Sequence, residues 1–386
     1  MREKIRQQHR KLNIAMIGQK RVPSREGGIE VVVEELSTRL VQNGCSVTLY
    51  NRAGHHVSGK EFDQNEKLDS YKGVKLYTVP TIEKKGLAAV SSSFFATIKA
   101  MVGKYDCIHY HAEGPCAMLW LPHLFHIRTV ATIHGLDWQR SKWGGFATWY
   151  LRCGEKMAAK YADEVIVLSK NVQEYFKTTY NRDTVFIPNG VNRPIIKEAE
   201  EITNRWGLEK SAYFCYLSRL VPEKGIKYLI EAFKKVKTNK KLVVAGGSSD
   251  TADFYNEIVQ LAADDKRIVF TGFVQGQALE ELYSNAYAYV LPSDLEGMPL
   301  TLLEAMSYGN CCVVSQIDEC TEVIEDKGII FKKSDARDLQ IKLQNLCDHE
   351  ELVQYYKNEA ADFICEKYNW DDVVQQTKQL YWKKVH

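Results

Sequence analysis

No two cysteines of this 386-residue chain form a C-x-x-C pair. The ten that it has are scattered, most of them inside apolar runs such as CCVVSQ (311–316), which reads as reduced core thiols and excludes a disulfide framework. A long apolar run is also missing. The start, MREKIRQQHRKLNIAMIG, is basic and then turns into one short apolar strand. It has neither the core of a signal peptide nor the roughly 18 apolar residues of a spanning helix, so a cytoplasmic protein is expected. Excess charge is missing too. At a net +2 there is no strong footprint for nucleic acid. There is no low-complexity run, no short-period repeat and no G-x-G-x-x-G, so a dinucleotide fingerprint is absent.

What is present is a folded composition, 45% apolar and 26% charged, on a chain long enough for two domains. Apolar strands recur in the first half at 13–18, 46–51, 74–79, 107–111, 129–134 and 164–169. Amphipathic segments separate several of them. In 29–44, Val33, Leu36, Leu40 and Val41 share a helical face and Gly44 ends it. The second half repeats the scheme, with strands at 212–218, 241–247, 267–272, 286–292, 311–316 and 328–332 and helices near 224–236, 252–264, 276–285 and 299–308. This alternation predicts α/β architecture, two doubly wound parallel sheets whose strand ends face a common cleft. The expected boundaries are 1–192 for the first domain, 193–210 for a linker and 211–368 for the second domain. Residues 369–386 form a terminal helix with an apolar stripe of Trp370, Val373, Val374, Thr377, Leu380 and Tyr381.

Five stretches carry chemistry. In SDLEGMPLTLLEAMSYG (293–309), Glu296 precedes a Gly-Met-Pro corner and Glu304 lies in an apolar helix. Pro299 suits the first turn of that helix, and the N–H groups of Met298, Leu300 and Thr301 at a positive helix end favour an anion. Eight residues of helix span about 12 Å, which suits one carboxylate at each end of a sugar–diphosphate–ribose ligand. The plainer reading makes Glu296 a solvated loop acid and pairs Glu304 with a cation. In SRLVPEKG (218–225), Arg219 and Lys224 flank a turn at a strand's carboxyl end, where they suit a diphosphate; the plainer reading is a polar turn with Glu223 neutralising one cation. In KRVPSREGGIEVVVEEL (20–36), Gly27 and Gly28 let backbone approach a ligand closely. HYHAEGP (109–115) and TIHGLDW (132–138) both follow apolar strands. A metal site there lacks a third ligand at clear spacing, and His134 or Asp137 better suits work on a hydroxyl. His109 reads as a core histidine. One more stretch, 84–104, is either an interfacial helix meeting anionic lipid or a half-buried domain helix.

Taken together and in this order, S-R-L-x-P-E-K-G, E-G-M-P-L-x-L-L-E-A-M with its Glu-x7-Glu, and a domain opening on a Gly-Gly loop resemble the retaining glycosyltransferases of family 4, with the GT-B fold. The resemblance covers nearly the whole chain, including IPNGV (187–191) and the terminal helix. The first half, with IGQKRVPSREGG, NRAGHH and HGLDWQRSKW, is more narrowly similar to bacterial rhamnosyltransferases that build capsular or cell-wall polysaccharide on a lipid carrier. The resemblance implies that Arg219 and Lys224 bind the donor diphosphate, that Glu304 holds the ribose, and that Glu296 contacts the donor sugar. It places the backbone of Gly297, Met298, Pro299 and Leu300 near sugar and phosphate, Gly28 under the phosphates, and His134 near the transferred sugar. His111, Glu113 and Asp137 are the acceptor-side candidates. In many relatives the first loop carries a longer glycine-rich run, whereas this chain has SREGG. The terminal helix is implied to cross back onto the first domain.

The expected reaction is metal-free transfer of a sugar, with L-rhamnose from dTDP-rhamnose as the leading donor, to a hydroxyl of a saccharide carried on polyprenyl diphosphate. No cofactor is expected. A peripheral contact with the inner face of the plasma membrane is expected alongside it. The rivals are transfer from a UDP- or GDP-sugar, a sugar-nucleotide 2-epimerase that needs no acceptor, and a non-enzymatic nucleotide-sugar binding protein.

Overall fold

The computed structural model describes residues 11–54, 68–82, 84, 86–139, 144–247 and 252–382. The basic arm 1–10, the histidines of NRAGHH and the end of HGLDWQRSKW lie outside them. The chain divides into two compact units, Met1–Asn189 with Trp370–His386, and Gly190–Asn369.

The first unit is built on an eight-stranded sheet. Its strands are β1 (Asn13–Ile17), β2 (Ser46–Arg52), β3 (Ser70–Tyr71), β4 (Val74–Val79), β5 (Cys107–His111), β6 (Thr129–Ile133), β7 (Glu164–Val167) and β8 (Val185–Phe186). They lie in the order β3-β4-β2-β1-β5-β6-β7-β8, and all neighbours are parallel except β3 and β4. Successive residues of β1 point to opposite faces, yet Ile14, Ala15, Met16 and Ile17 are all buried, so both faces are covered. The sheet reverses direction of winding between β1 and β5, where Ile17 pairs with Tyr110.

The second unit holds a six-stranded, all-parallel sheet. Its strands are β9 (Tyr213–Leu217), β10 (Lys241–Ala245), β11 (Ile268–Gly272), β12 (Ala288–Leu291), β13 (Cys312–Ser315) and β14 (Ile329–Phe331). The order is β11-β10-β9-β12-β13-β14, with the reversal between β9 and β12. Alternation within β9 decides which layer each side chain joins. Tyr213 and Cys215 pack in the cluster that contains Leu302 and Leu303, and Phe214 and Tyr216 pack with Leu229 and Phe233.

The expected doubly wound α/β architecture is therefore present in both units, and the twelve expected strands end within two residues of the observed ones. The short strands β3 and β8 were not expected. Residues 193–210, read as a linker, carry the helix Glu201–Trp206 within the second unit. The backbone N–H groups of Glu200 and Ile202 both donate to the Glu281 carboxylate at 3.0 Å. The terminal helix Trp370–Trp382 belongs to the first unit and buries the six residues of its stripe. Arg128 holds it there, with Nε and Nη2 donating to the Leu380 carbonyl at 3.0 and 2.6 Å. All ten cysteines are free thiols. Among the described residues, no helix is long and apolar enough to cross a membrane.

Candidate functional site

In an open parallel sheet a ligand binds beyond the carboxyl ends of the strands, where the winding reverses. In the second unit that place lies past β9 and β12, and the charged residues of the sequence motifs collect there.

After β9 the chain turns sharply. Leu220 N–H donates to the Gly247 carbonyl, and Pro222–Lys224 form one 3-10 turn. Gly225 closes it with φ +68°, and a Cβ there would stand 1.9 Å from the Pro292 carbonyl oxygen. Only glycine meets both demands. The close approach brings the turn against the segment that follows β12, and Asp294 N–H donates to the Glu223 carbonyl at 2.9 Å. Lys224 Nζ consequently meets Glu296 Oε1 at 2.5 Å, with side chains only 12% and 8% exposed. Arg219 is half-buried in the same neighbourhood. Burial, reinforced by the Glu296 carboxylate and opposed by Arg219, pushes the Tyr216 phenol up.

The helix that follows is Leu300–Ser307. Pro299 caps it from outside instead of opening its first turn, with φ −76° and ψ 99°. Its carbonyl accepts from Leu302 and Leu303 at 3.0 and 3.2 Å. Gly297 is buried, and Met298 and Leu300 pack against the core, so the corner between the two glutamates is anchored. Glu304 is half-buried, and its Oε2 accepts from the Tyr283 hydroxyl at 3.1 Å. Glu296, paired with Lys224, is therefore not the solvated loop acid of the plainer reading. A second acid, Asp294, accepts from the Tyr228 and Ser334 hydroxyls, which fixes the loop just before Glu296.

In the first unit, residues from the β1–β5 reversal and the neighbouring β6 come together. Gly18, directly after β1, has φ +135°, and a Cβ there would fall 2.1 Å from the His111 carbonyl oxygen. Gly28 is the exposed first residue of the helix Gly28–Gln42. Glu30 reaches back from that helix to accept from Lys20 N–H at 2.8 Å. Past β5, Ala112 is held at φ +72° and ψ 160°, a strained conformation for a residue with a Cβ. It separates His111 from Glu113, and both are fully buried. Neither presents surface to an acceptor. His134 and Asp137, past β6, are half-buried and do.

Three buried groups of this cluster, His109, His111 and Glu113, are uncharged. Burial, with His134 nearby, lowers His109 to about 3, and burial with both neighbouring imidazoles lowers His111 well below the ordinary value. Burial, with Asp137 and Glu155 close by, pushes the Glu113 carboxyl up to about 11. Glu155 takes the hydrogen bonds instead, from Trp138 Nε1 at 2.9 Å, Tyr175 at 2.9 Å and Tyr180.

Comparison with known proteins places the chain in a family. Residues 198–376 match the family Glycosyl transferases group 1, and residues 26–193 match Glycosyltransferase Family 4. The chain is a glycosyltransferase of the family 4 type. An uncharacterized glycosyltransferase of Methanocaldococcus jannaschii is 27% identical to it over 96% of this chain and 98% of its own. The N,N'-diacetylbacillosaminyl-diphospho-undecaprenol alpha-1,3-N-acetylgalactosaminyltransferase of Campylobacter jejuni is 27% identical over 58% of this chain and 62% of its own. Among solved structures, sucrose-phosphate synthase from Thermosynechococcus elongatus superposes with a TM-score of 0.82 at 21% identity, covering 96% of this chain and 98% of its own. The Anabaena protein HepE, solved with UDP and glucose, gives 0.78 at 16% identity, covering 96% and 99%. The fold of this glycosyltransferase is thus GT-B.

Several residues of the two candidate sites carried no signal in the sequence. Tyr283 bonds Glu304 across 21 residues, and Tyr381 reaches His109 across 272. Both are tyrosines on otherwise ordinary helical stripes, and only the fold reveals their partners. Glu155 had one signal available, an acid among apolar residues of the helix Gly145–Tyr161, which needs donors once buried.

Proposed function

We propose that this glycosyltransferase catalyses metal-independent transfer of a hexose, with retention of anomeric configuration, from a nucleoside diphosphate to a hydroxyl of a lipid-linked saccharide. The observation that carries this reading is the gathering of Arg219, Lys224 and Glu296 beyond β9 and β12, with Glu304 on the next helix. Arg219 and Lys224 bear the charge that grows on the leaving diphosphate, the task a metal ion performs elsewhere. Glu304, oriented by Tyr283, takes the ribose hydroxyls. Glu296 takes sugar hydroxyls and at the same time fixes the Lys224 ammonium. In the transfer step the acceptor oxygen bonds to the anomeric carbon on the face that the diphosphate leaves. The bond from that carbon to the diphosphate oxygen breaks, and the acceptor proton passes to a donor phosphate oxygen. L-Rhamnose from dTDP-rhamnose is the leading donor, on the likeness of the first-half motifs to rhamnosyltransferases. The Campylobacter relative, named for a diphospho-undecaprenol substrate, supports a polyprenyl-diphosphate acceptor. The test is nucleoside diphosphate release in EDTA from dTDP-rhamnose, UDP-GlcNAc, UDP-glucose and GDP-mannose, each with and without a polyprenyl-diphosphate-linked sugar. Acceptor-dependent release from one donor is expected. Epimerisation of a UDP-sugar without release would replace the reading.

Contact with an anionic membrane surface belongs to the same proposal. The helix Leu87–Val102 exposes Phe94, Phe95, Ile98 and Val102, and Trp120–Leu124 exposes Trp120 and Leu124. Neither helix contains an acid, and Lys99 and His123 are exposed on them. Cosedimentation with phosphatidylglycerol vesicles is expected to fall in Phe94→Asp. Absence of binding at every salt concentration would remove the membrane from the account.

A further inference from the structure

Five side chains from three regions of the chain form one continuous contact path in the first unit. The Tyr381 phenol, on the terminal helix, lies 2.7 Å from His109 Nδ1. His109 Nε2 lies 2.7 Å from Thr132 Oγ1. The His109 ring lies 4.1 Å from the His111 ring, with planes inclined by 32°. His111 Nδ1 lies 3.1 Å from His134 Nε2. Tyr381, His109, Thr132 and His111 are buried, and His134 at the end carries the exposed surface.

A neutral imidazole has one N–H and one lone pair, and which nitrogen holds the proton follows from its partners. His109 and His111 are both neutral here. The phenol is the better donor, so Tyr381 donates to His109 Nδ1, and His109 Nε2–H donates to Thr132. For His111 the choice is decided by its other nitrogen. Among the described residues, His111 Nε2 is buried with no hydrogen-bond partner. A buried N–H without an acceptor is rarer than a buried lone pair without a donor. The His111 proton therefore sits on Nδ1, in the contact with His134.

We infer that His111 is a positioning residue that fixes His134 as the Nδ1–H tautomer, and that Tyr381 and Thr132, through His109, hold His111 for that task. His134 Nε2 is then occupied as an acceptor, and protonating it requires His111 to move its own proton to the unpartnered Nε2. His134 is thereby a lender of one N–H and a poor base. Resting on the transferase reading, this makes His134 a hydrogen-bond donor to a sugar oxygen and leaves the acceptor proton to the donor phosphate. The terminal helix, through Tyr381, becomes part of what positions the site.

The experiment is long-range proton–nitrogen correlation NMR of the full chain labelled with 15N-histidine, with His134→Gln used to assign the His134 signals. The expected wild-type pattern is a protonated Nδ1 and an unprotonated Nε2 on His134. In His111→Asn the pattern is expected to relax to the Nε2–H form or to a mixture. Tyr381→Phe, which keeps the ring, is expected to perturb the His109 and His111 signals and to lower kcat by up to about tenfold at unchanged donor KM, the effect of one hydrogen bond. An Nε2–H His134 in the wild type would overturn the inference, and so would a His134 pattern unchanged from the wild type in both variants. Should His111→Asn fail to fold, the wild-type spectrum and Tyr381→Phe decide. The spectra need no substrate, so they stand apart from whether any donor is turned over.

Discussion

Lys224 and Glu296, 72 residues apart in sequence, meet at 2.5 Å with little of either side chain exposed. The pair joins the two segments that leave β9 and β12. It also places one positive and one negative group where a diphosphate and a sugar are expected side by side. Removing Lys224 takes this counter-charge away from a buried carboxylate, which costs about 3–5 kcal/mol. Lys224→Met is therefore expected to lower the stability of the second unit by about that much and to lower turnover by roughly 10²–10³. The double variant Lys224→Met with Glu296→Gln is expected to recover most of the stability and none of the turnover. Thermal melts and donor turnover on the same preparations separate the two effects.

Gly225 sets the geometry of that pair. At φ +68° any other residue bears about 1–2 kcal/mol of left-handed strain, and the Cβ of alanine would also run into the Pro292 carbonyl at 1.9 Å. Gly225→Ala is expected to melt the second unit at lower temperature and to weaken donor binding more than Gly272→Ala, whose Cβ meets nothing within 4 Å at a similar φ of +71°. Calorimetry of the two variants makes the comparison.

Glu304 depends on Tyr283 for its orientation. Tyr283→Phe removes one hydrogen bond, worth about 0.5–1.5 kcal/mol, so donor KM is expected to rise by up to about tenfold with kcat little changed. Glu304→Ala is expected to raise donor KM further. An unchanged KM in both would detach Glu304 from the ribose.

Glu113 gives a pH dependence. Its carboxyl is pushed up from 4.5 to about 11 in the folded chain, chiefly by burial, with Asp137 and Glu155 adding to it. Between those values the unfolded chain releases a proton that the folded chain keeps. The stability contributed by the neutral acid is complete below about pH 4.5 and declines as pH rises. Glu113→Gln, which is neutral at every pH, is expected to melt above the wild type at pH 8, with the gap closing as the pH is lowered toward 4. A gap independent of pH would mean that Glu113 is ionised in the folded chain.

Much of this is legible in the amino-acid sequence. Strand positions followed from unbroken apolar runs, which only a sheet covered on both faces requires. The terminal stripe from Trp370 to Tyr381 followed from the helical period. Arg219, Lys224, Glu296 and Glu304 stood out because a charge next to a buried element needs a partner. What the sequence did not reveal was who partners whom. Glu296 takes Lys224, because Gly225 packs against Pro292 and brings the Lys224 turn over the β12 segment. His111 and Glu113 looked like acceptor contacts on the strength of their place after β5. They are buried because the terminal helix and the helix Gly145–Tyr161 close over that end, with Tyr381 against His109 and Gly154 against Glu113. Such contacts join residues tens to hundreds of positions apart, and no local pattern encodes them.

The central claim is that protein cations stabilise the leaving diphosphate. Its most direct measurement is acceptor-dependent turnover of wild type and Arg219→Ala at saturating donor in EDTA. The account predicts full wild-type activity without metal and a loss of roughly 10²–10³ in the variant. Wild-type turnover in Arg219→Ala, or activity that appears only when a divalent cation is restored, would contradict it.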